Sequence, residues 1–274
     1  MKIFNLRDGK KLSVGDKTLV MGILNVTPDS FSDGGKFFSP DAALAHAKKL
    51  ISDGADILDI GAESTRPNAV LVTADEEISR LEKILPALKN FDVPISVDTY
   101  KPEVAARALA LGADIINDVH GLEDFRMIDV AKNFDAPVIA GHCDKCYDGD
   151  IVADVKKFFR RTLANCATHG FDTTKIVFDA GVGFGKSHAE TLTLLRRLDE
   201  LKILDGQEIT LMLGVSRKSF IGWATGFEVD DRDEATGALC VHAITKGVDI
   251  VRVHNVKMIH KMCLMIDALR DKNF

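Results

Sequence analysis

The sequence predicts an α/β protein in which eight strand–helix units form a closed (β/α)8 barrel. The chain has 274 residues, which fits the roughly 250 that one such barrel needs. Short runs rich in Ile, Val and Leu alternate with longer segments of helical periodicity along nearly the whole chain. Eight such pairs imply parallel strands joined by right-handed crossovers, and eight strands can close. We therefore expect one domain over residues 1–274, with a doubly wound open sheet as the alternative.

Each element can be placed on the chain. The predicted strands are Leu19 to Asn25, Ile57 to Ile60, Ile95 to Asp98, Ile115 to Asp118, Pro137 to Gly141, Ile176 to Asp179, Thr210 to Val215 and Ile250 to Val253. The predicted helices cover residues 40–53, 75–90, 101–111, 124–134, 151–169, 188–202, 232–247 and 256–270. Ahead of them, Ile3 to Leu6 and Lys11 to Val14 predict a short N-terminal hairpin that covers the bottom of the barrel.

A loose phrase recurs where a helix gives way to a strand. It occurs at residues 53–57 as Asp-Gly-Ala-Asp-Ile, at 111–115 as Leu-Gly-Ala-Asp-Ile and at 246–250 as Lys-Gly-Val-Asp-Ile. A glycine at the end of a helix provides the left-handed conformation that many helices end on. We interpret the phrase as repeated chemistry of the loop that joins helix to strand, which is consistent with a barrel built from similar units.

Composition excludes several classes of function. The formal net charge of −6 argues against general binding of nucleic acid. No run approaches the about 20 apolar residues of a membrane span. The start of the chain lacks the apolar core of a secretory signal, and the five cysteines are an odd number spread along the chain. We expect a cytoplasmic protein with reduced thiols, with no membrane or nucleic-acid partner.

Polar residues interrupt the apolar runs mainly where strands end. These residues are Asn25, Asp59, Asp98, Asn117, Asp118, His142, Asp179, Ser216, Arg217, Lys218, Arg252 and His254. Helix capping explains a few of them, but not eight strand ends that converge on the face of a barrel where active sites lie. Asp98, Asn117 and Asp179 would suit an aminopyrimidinone ring, because buried carboxylates need matching donors. A positive rim of Asn25, Arg66, Lys218, Arg252 and His254 would suit phosphate or diphosphate, with Mg2+ as a possible partner.

Two further motifs are ambiguous. Residues 179–187, Asp-Ala-Gly-Val-Gly-Phe-Gly-Lys-Ser, nearly form a P-loop, but an alanine replaces the first glycine. We favour a tight loop that carries Asp179 and places Phe184 against a ring, and nucleotide binding is the alternative. Cys143 and Cys146 form a lone C-x-x-C without a second ligand pair. Two loop cysteines without a joint role are favoured, and weak metal binding stays open.

Several of these motifs occur together in one family. Residues 21–35, Met-Gly-Ile-Leu-Asn-Val-Thr-Pro-Asp-Ser-Phe-Ser-Asp-Gly-Gly, and residues 59–67, Asp-Ile-Gly-Ala-Glu-Ser-Thr-Arg-Pro, resemble the first two signatures of the dihydropteroate synthases. Further matches lie at residues 96–99, 116–119, 183–186, 214–219 and 252–254. Their order and spacing cover nearly the whole chain.

The resemblance implies an activity and roles for residues. The enzyme would join 6-hydroxymethyl-7,8-dihydropterin diphosphate to p-aminobenzoate in folate biosynthesis. Lys218, Arg252 and Asp98 would be catalytic. Asp98, Asn117, Asp179 and Lys218 would hold the pterin. Asn25, Arg252 and His254 would hold the diphosphate, with Mg2+ near Asn25. Thr65, Pro67, Phe184, Lys218 and Ser216 would shape the p-aminobenzoate site, with Ser216 near its carboxylate, and Arg66 would be a further substrate-binding residue.

The resemblance also implies a homodimer, and segments 26–38 and 62–72 that close over the reactants. Departures from the family pattern are Gly141 for methionine, Ala180 for proline, Asn68 for glycine and Asn255 for aspartate. Gly141 is expected to leave space in the pterin pocket. Two other functions stay open, a pterin-binding paralogue without condensing activity and a pterin-dependent methyltransferase. The motif at residues 216–218 weakens the second, because it would serve diphosphate and p-aminobenzoate.

Overall fold

Parallel strands close into a barrel in the computed structural model, which describes residues 1–27, 40–63, 71–144 and 149–270. The strands are β1 Lys2–Asn5, β2 Lys11–Val14, β3 Leu19–Asn25, β4 Ile57–Gly61, β5 Ile95–Asp98, β6 Ile115–Asp118, β7 Val138–Gly141, β8 Ile176–Asp179, β9 Ile203–Leu204, β10 Gln207–Glu208, β11 Leu211–Leu213 and β12 Ile250–Val253. Around the ring the order is β11, β12, β3, β4, β5, β6, β7 and β8, and β8 pairs with β11. The predicted barrel is confirmed, and the open sheet is excluded.

Helices connect successive barrel strands, as parallel strands require. They are α1 Pro40–Ser52, α2 Ala74–Glu82, α3 Leu85–Leu88, α4 Pro102–Leu111, α5 Phe125–Asn133, α6 Ile151–Thr168, α7 His188–Arg196, α8 Leu198–Lys202, α9 Ser219–Thr225, α10 Asp233–Thr245 and α11 Val256–Arg270. The helix predicted at 75–90 is divided into α2 and α3, because Pro86 lies in the first turn of α3 and cannot continue a helix. Among the described helices, none has both the length and the apolar character to cross a membrane.

The N-terminal hairpin closes the bottom of the barrel. Strands β1 and β2 pair antiparallel, and Phe4, Leu12 and Val14 pack on inward-facing side chains near the strand starts. These inward side chains are Leu19, Met21, Ile57, Ile115, Ile139, Val177, Met212 and Ile250. The predicted hairpin and its position are therefore confirmed. Outward-facing side chains form a second, larger apolar layer against the helices, because successive residues of a strand point to opposite faces.

The recurring phrase has a common structural role. The carboxylate of Asp56 accepts a hydrogen bond from the backbone N–H of Val20 at 2.9 Å. Asp114 accepts from the N–H of Ile95 at 2.9 Å, and Asp249 accepts from that of Leu211 at 2.8 Å. In each case the aspartate just before one strand binds the backbone near the start of the adjacent strand.

Candidate active site

A polar layer lies directly above the apolar filling of the barrel. Asp59, Asn117, Asp179 and Arg252 each stand two residues after an inward-facing apolar residue of the same strand. Because side chains alternate along a strand, these four also point into the barrel. Asp59 is fully buried, and Asn117 and Asp179 are buried as well. The alternation therefore brings polar groups from β4, β6, β8 and β12 to one level at the carboxyl ends of the strands.

Arg252 is the centre of this layer. Its Nε donates to Asp59 Oδ2 at 2.6 Å, and its Nη2 donates to Asp98 Oδ2 at 2.5 Å. Asn117 Nδ2 donates to the same Asp59 oxygen at 3.1 Å. Burial raises the pKa of Asp98 to about 7, although the charge of Arg252 opposes this. Arg252 thus lies among the carboxylates, deeper than the rim position expected from the sequence, and its contact with diphosphate stays a prediction.

Two carboxylate oxygens of the residues that Arg252 contacts lack a hydrogen-bond partner within the described residues. They are Asp59 Oδ1 and Asp98 Oδ1, and both are buried. Such atoms are rare in folded proteins, since a buried acceptor without a donor is costly. A ligand with adjacent N–H groups would satisfy acceptors of this kind. The sequence had marked Asp59 as a polar strand end, but its part in the site was missed.

Glycines keep the mouth of the barrel open beside this layer. A Cβ at Gly61 would lie 3.4 Å from Asn25 Oδ1 and 3.8 Å from Asp98 Oδ2. A Cβ at Gly214 would lie 3.9 Å from Asp179 Oδ2. Asn25, at the end of β3, therefore faces the carboxylates across a position without a side chain.

Lys218 lies above the loop that follows β8. Its Nζ donates to the carbonyl oxygen of Val182 and lies 4.2 Å from the centroid of the Phe184 ring. Burial lowers the pKa of Lys218 to about 8, while the charge of Asp179 acts in the opposite direction. A Cβ at Gly183 would approach Lys218 Cδ to 3.2 Å, so the glycine gives the lysine stem room. The structure thus brings Lys218, Phe184 and Asp179 together as predicted.

Ser216 and His254 are joined to each other. Ser216 Oγ lies 2.8 Å from His254 Nδ1 and also accepts the backbone N–H of His254 at 3.2 Å. This contact links the loops after β11 and β12. Arg217, which lies between Ser216 and Lys218 in the sequence, does not take part in this contact, since its guanidinium donates to both carboxylate oxygens of Asp233.

The glycine-rich loop is not arranged as a phosphate cradle. Lys186, which would face a phosphate in a P-loop, donates to the carbonyl oxygens of His142, Gly181 and Phe184 at 2.9–3.0 Å. The loop also packs closely on the segment after β7, because a Cβ at Gly181 would lie 1.7 Å from His142 O. The nucleotide alternative therefore has no structural basis here, and the tight loop that carries Asp179 and Phe184 is found.

Several predicted positions belong to segments that the structure does not describe. Thr65, Arg66, Pro67 and Cys146, with most of segments 26–38 and 62–72, lie outside the described residues. Burial raises the pKa of the Cys143 thiol to about 11, so without a bound metal this thiol is protonated near pH 7. Within residues 1–27, 40–63, 71–144 and 149–270, no three His, Cys, Asp or Glu residues form a cluster suited to a metal.

Two strand-end positions contact neighbouring backbone. A Cβ at Gly141 would lie 3.0 Å from the Cα of Val119, so the glycine allows β7 to end against that backbone. The expected space in the pterin pocket stays a prediction. Asp118 accepts the backbone N–H groups of His120 and Leu122 at 2.8 and 2.9 Å, so it stabilises a turn.

The comparisons with known proteins agree with this geometry. The model of the pterin binding enzyme family matches residues 21–254, and this is the class that the barrel and its polar layer define. Dihydropteroate synthase of Bacillus subtilis (strain 168) is 45% identical over 265 residues, 95% of this chain and 92% of the relative. Dihydropteroate synthase of Clostridium beijerinckii is 40% identical over 264 residues, which are 95% of this chain and 97% of the relative. The chain belongs to the dihydropteroate synthases, the pterin-binding transferases of folate biosynthesis.

Solved structures of the same family superimpose closely. The dihydropteroate synthase of Clostridium difficile, determined in the presence of pteroic acid, has a TM-score of 0.90 and 45% identity, covering 95% of this chain and 100% of that one. The Xanthomonas albilineans enzyme with 4-aminobenzoic acid has a TM-score of 0.89 and 38% identity, with 96% of each chain covered.

Proposed function

We propose that this chain condenses 6-hydroxymethyl-7,8-dihydropterin diphosphate with p-aminobenzoate, giving 7,8-dihydropteroate and diphosphate. The observation that carries the proposal is the buried polar layer with its two acceptor oxygens, Asp59 Oδ1 and Asp98 Oδ1, that lack donors in the described part of the chain. Related structures with 4-aminobenzoic acid and with 7,8-dihydropteroate support the two substrate classes.

The pterin would enter the polar layer. Its aminopyrimidinone ring carries adjacent N–H donors, which match the carboxylate of Asp98, and Asn117 and Asp179 offer further polar contacts. Lys218 would contact the opposite part of the ring system, beside Phe184. Arg252 pairs with both Asp59 and Asp98, so its single positive charge offsets one of their two negative charges in this buried layer. These contacts hold the methylene carbon in place while the reaction occurs.

The reaction exchanges two bonds at that carbon. The C–O bond to diphosphate breaks, and its electron pair leaves with the diphosphate. The amine nitrogen of p-aminobenzoate then forms a bond to the methylene carbon and loses a proton. Thr65, Pro67, Phe184, Lys218 and Ser216 would hold p-aminobenzoate in line with the methylene carbon, because correct positioning of two reactants supplies much of the rate increase in such a reaction.

Asn25 and His254 would bind the diphosphate, with Mg2+ held near Asn25. The neutral amide oxygen of Asn25 is a single protein ligand, and Mg2+ commonly takes one or two protein oxygens together with substrate phosphates and waters. The donor set therefore fits a Mg2+–diphosphate complex better than a resident metal ion. Bound there, Mg2+ would neutralise charge on the leaving group. We further propose one domain over residues 1–274, a homodimer and a cytoplasmic location, on family likeness and the reduced cysteines.

The activity can be tested with the purified protein, pterin diphosphate, p-aminobenzoate and Mg2+. Dihydropteroate should form, and Asp98→Asn should weaken pterin binding by about 2–5 kcal/mol, because an amide N–H replaces a buried acceptor. Asp124→Asn is the control, since Asp124 caps α5 at the surface and asparagine caps equally well. Tight pterin binding without product would favour the pterin-binding paralogue, and unchanged affinity in Asp98→Asn would refute the pterin site.

A further inference from the structure

The hydroxyl of Ser216 is held by a single residue, His254. Ser216 Oγ lies 2.8 Å from His254 Nδ1, and it accepts the backbone N–H of His254 at 3.2 Å. Ser216 is buried, with 8% of its surface exposed. The loops after β11 and β12 therefore meet through a hydroxyl and an imidazole, two groups that can each donate or accept a proton.

The direction of this hydrogen bond follows from the groups available. A hydroxyl has one proton to donate and two lone pairs, and the backbone N–H of His254 takes one of the lone pairs. Among the described residues, His254 Nδ1 is the only acceptor in contact with the hydroxyl of Ser216. Because a buried donor without an acceptor is costly, the hydroxyl proton points to Nδ1. In the neutral ring the proton then lies on the other nitrogen, Nε2.

A second set of contacts fixes the two loops behind this pair. Arg217 follows Ser216, and its guanidinium donates to both oxygens of Asp233 at 2.7 and 2.8 Å. Asn255 follows His254, and its Nδ2 donates to Asp233 Oδ2 at 3.0 Å. An aspartate at position 255, as in the family pattern, would place a second carboxylate against Asp233. Asn255 therefore suits this chain, and Asp233 joins the two loops.

Adhesion between the loops does not by itself explain the bond between Ser216 and His254, because Asp233 already joins them. What this bond adds is the identity of the protonated nitrogen and the orientation of the ring. A diphosphate offers only acceptor oxygens, so a histidine that binds it must present an N–H. With its proton on Nδ1, the neutral ring would instead present the lone pair of Nε2 to the anion.

We propose that Ser216 is a positioning residue for diphosphate, which acts by holding His254 in the tautomer with its proton on Nε2. This role rests on the proposed function, in which His254 binds the diphosphate. Without the hydroxyl, the binding tautomer and ring orientation are populated in a smaller fraction of molecules, and apparent affinity falls by that fraction. Because the hydroxyl has one proton, the role belongs to the state before a p-aminobenzoate carboxylate approaches Ser216.

Nitrogen-15 NMR of the histidine rings measures the tautomer. Spectra are recorded at about pH 8.5, two units above the ordinary pKa of histidine, and the His254 signals are identified by their loss in His254→Gln. The proton should lie on Nε2 in the unchanged protein, and Ser216→Ala should show a mixture of both tautomers. A proton on Nδ1 in the unchanged protein, or the same tautomer in Ser216→Ala, would overturn the inference.

Calorimetric titration with inorganic diphosphate and Mg2+, without either substrate, measures the effect on binding. Ser216→Ala should weaken diphosphate binding by about three- to tenfold, as expected for one hydrogen bond. Ser216→Thr keeps the hydroxyl and should restore most of the affinity. Thr236→Val is the matched control, because it removes the hydrogen bond from the N–H of Arg217 in the same loop and leaves the Ser216 hydroxyl in place. Unchanged affinity in Ser216→Ala, or an equal loss in Thr236→Val, would contradict the positioning role.

A double-mutant cycle tests whether Ser216 acts through His254. Ser216→Ala should weaken diphosphate binding in the unchanged protein but not in His254→Gln, which has no imidazole to orient. An equal loss in both would show that Ser216 binds diphosphate directly, and the inference would fail. It would also fail if the unchanged protein bound no diphosphate. If that protein binds diphosphate but forms no dihydropteroate, the proposed function fails instead, and the NMR spectra and the cycle still decide the role of Ser216.

Discussion

At the scale of single residues, burial sets the charge state of groups around the mouth of the barrel. His142 follows β7 and is buried, with its ring set edge-on to Phe158 at a centroid distance of 5.2 Å. Among the described residues its Nδ1 has no hydrogen-bond partner. Burial, aided by the charge of Lys186, lowers the pKa of His142 to about 4, so its ring is neutral near pH 7.

This buried histidine should make the protein sensitive to acid. In the unfolded chain the pKa of histidine is near 6.5. Between about pH 6.5 and 4, His142 is therefore protonated in the unfolded state and neutral in the folded state. Stability falls as pH is lowered through that window, by about 3 kcal/mol from this group. His142→Leu should lose correspondingly less stability between pH 7 and pH 4.5. Urea unfolding at both pH values measures the free energy of unfolding of each protein. Identical losses of stability in His142→Leu and the unchanged protein would exclude the contribution of His142.

Sequence alone could place the site residues but not their partners. Asp98, Asn117 and Asp179 lie at or next to the ends of their strands as predicted, because a polar residue that follows a short apolar run marks the carboxyl end of a barrel strand. The pairing of Arg252 with Asp59 joins residues 193 apart in the sequence and depends on side-chain reach across the barrel. No pattern in the sequence predicts which carboxylate an inward-pointing arginine contacts.

At the scale of elements, the loop after β8 has little freedom to change. Gly181 has a φ of 63°, and its absent side chain would overlap the carbonyl oxygen of His142. The N–H of Gly181 also donates to Asp179 Oδ1 at 2.9 Å, so the loop conformation orients a predicted pterin ligand. Both the backbone conformation and the close approach require glycine.

Two alanine variants separate these requirements. Gly181→Ala should cost about 3 kcal/mol or more, because strain and steric overlap add. Gly226→Ala, at the end of α9, has a φ of 78° but no atom within 4 Å of the added Cβ, so strain alone applies. Its cost should be about 1–2 kcal/mol. Thermal or denaturant unfolding compares the stability of the two variants. Equal losses of stability would contradict a role for the close contact between Gly181 and the carbonyl oxygen of His142.

Element boundaries were predicted well where an apolar run ends abruptly. The bounds of β3, β5, β6, β8 and β12 match the sequence prediction, because polar or turn residues flank each run. The short helix α9 and the hairpin of β9 and β10 were missed. The helix α9 has seven residues and the strand β9 has two, which are too few for a periodic pattern to be recognised in the sequence.

At the scale of the whole molecule, the two ends of the barrel differ in composition and in the role we assign to them. The apolar layer and the hairpin fill the bottom, and the polar layer faces the mouth. In barrels of this kind chemistry belongs to the carboxyl ends of the strands and stability to the opposite end. Substitutions at the bottom should therefore change stability without changing substrate binding.

Phe4 provides the test of that division. It is 2% exposed beneath the barrel, so Phe4→Ala should destabilise the protein by about 3–5 kcal/mol. The KM values of folded Phe4→Ala should equal those of the unchanged protein. Ile3→Ala is the control, because Ile3 is the adjacent residue and is 50% exposed. An altered KM in folded Phe4→Ala would show that the two ends are coupled.

The aspartates of the recurring phrase bear on how the strands are staggered. Asp56, Asp114 and Asp249 each tie the start of one strand to the start of its neighbour. A closed barrel has a fixed total shear, so a slip at one joint must be compensated at another. A slip of one residue would also turn every side chain of that strand to the opposite face. The register of one strand therefore cannot change without changing the others. By fixing it at the bottom of the barrel, these carboxylates help to place Asp59, Asn117 and Arg252 at the same level at the mouth.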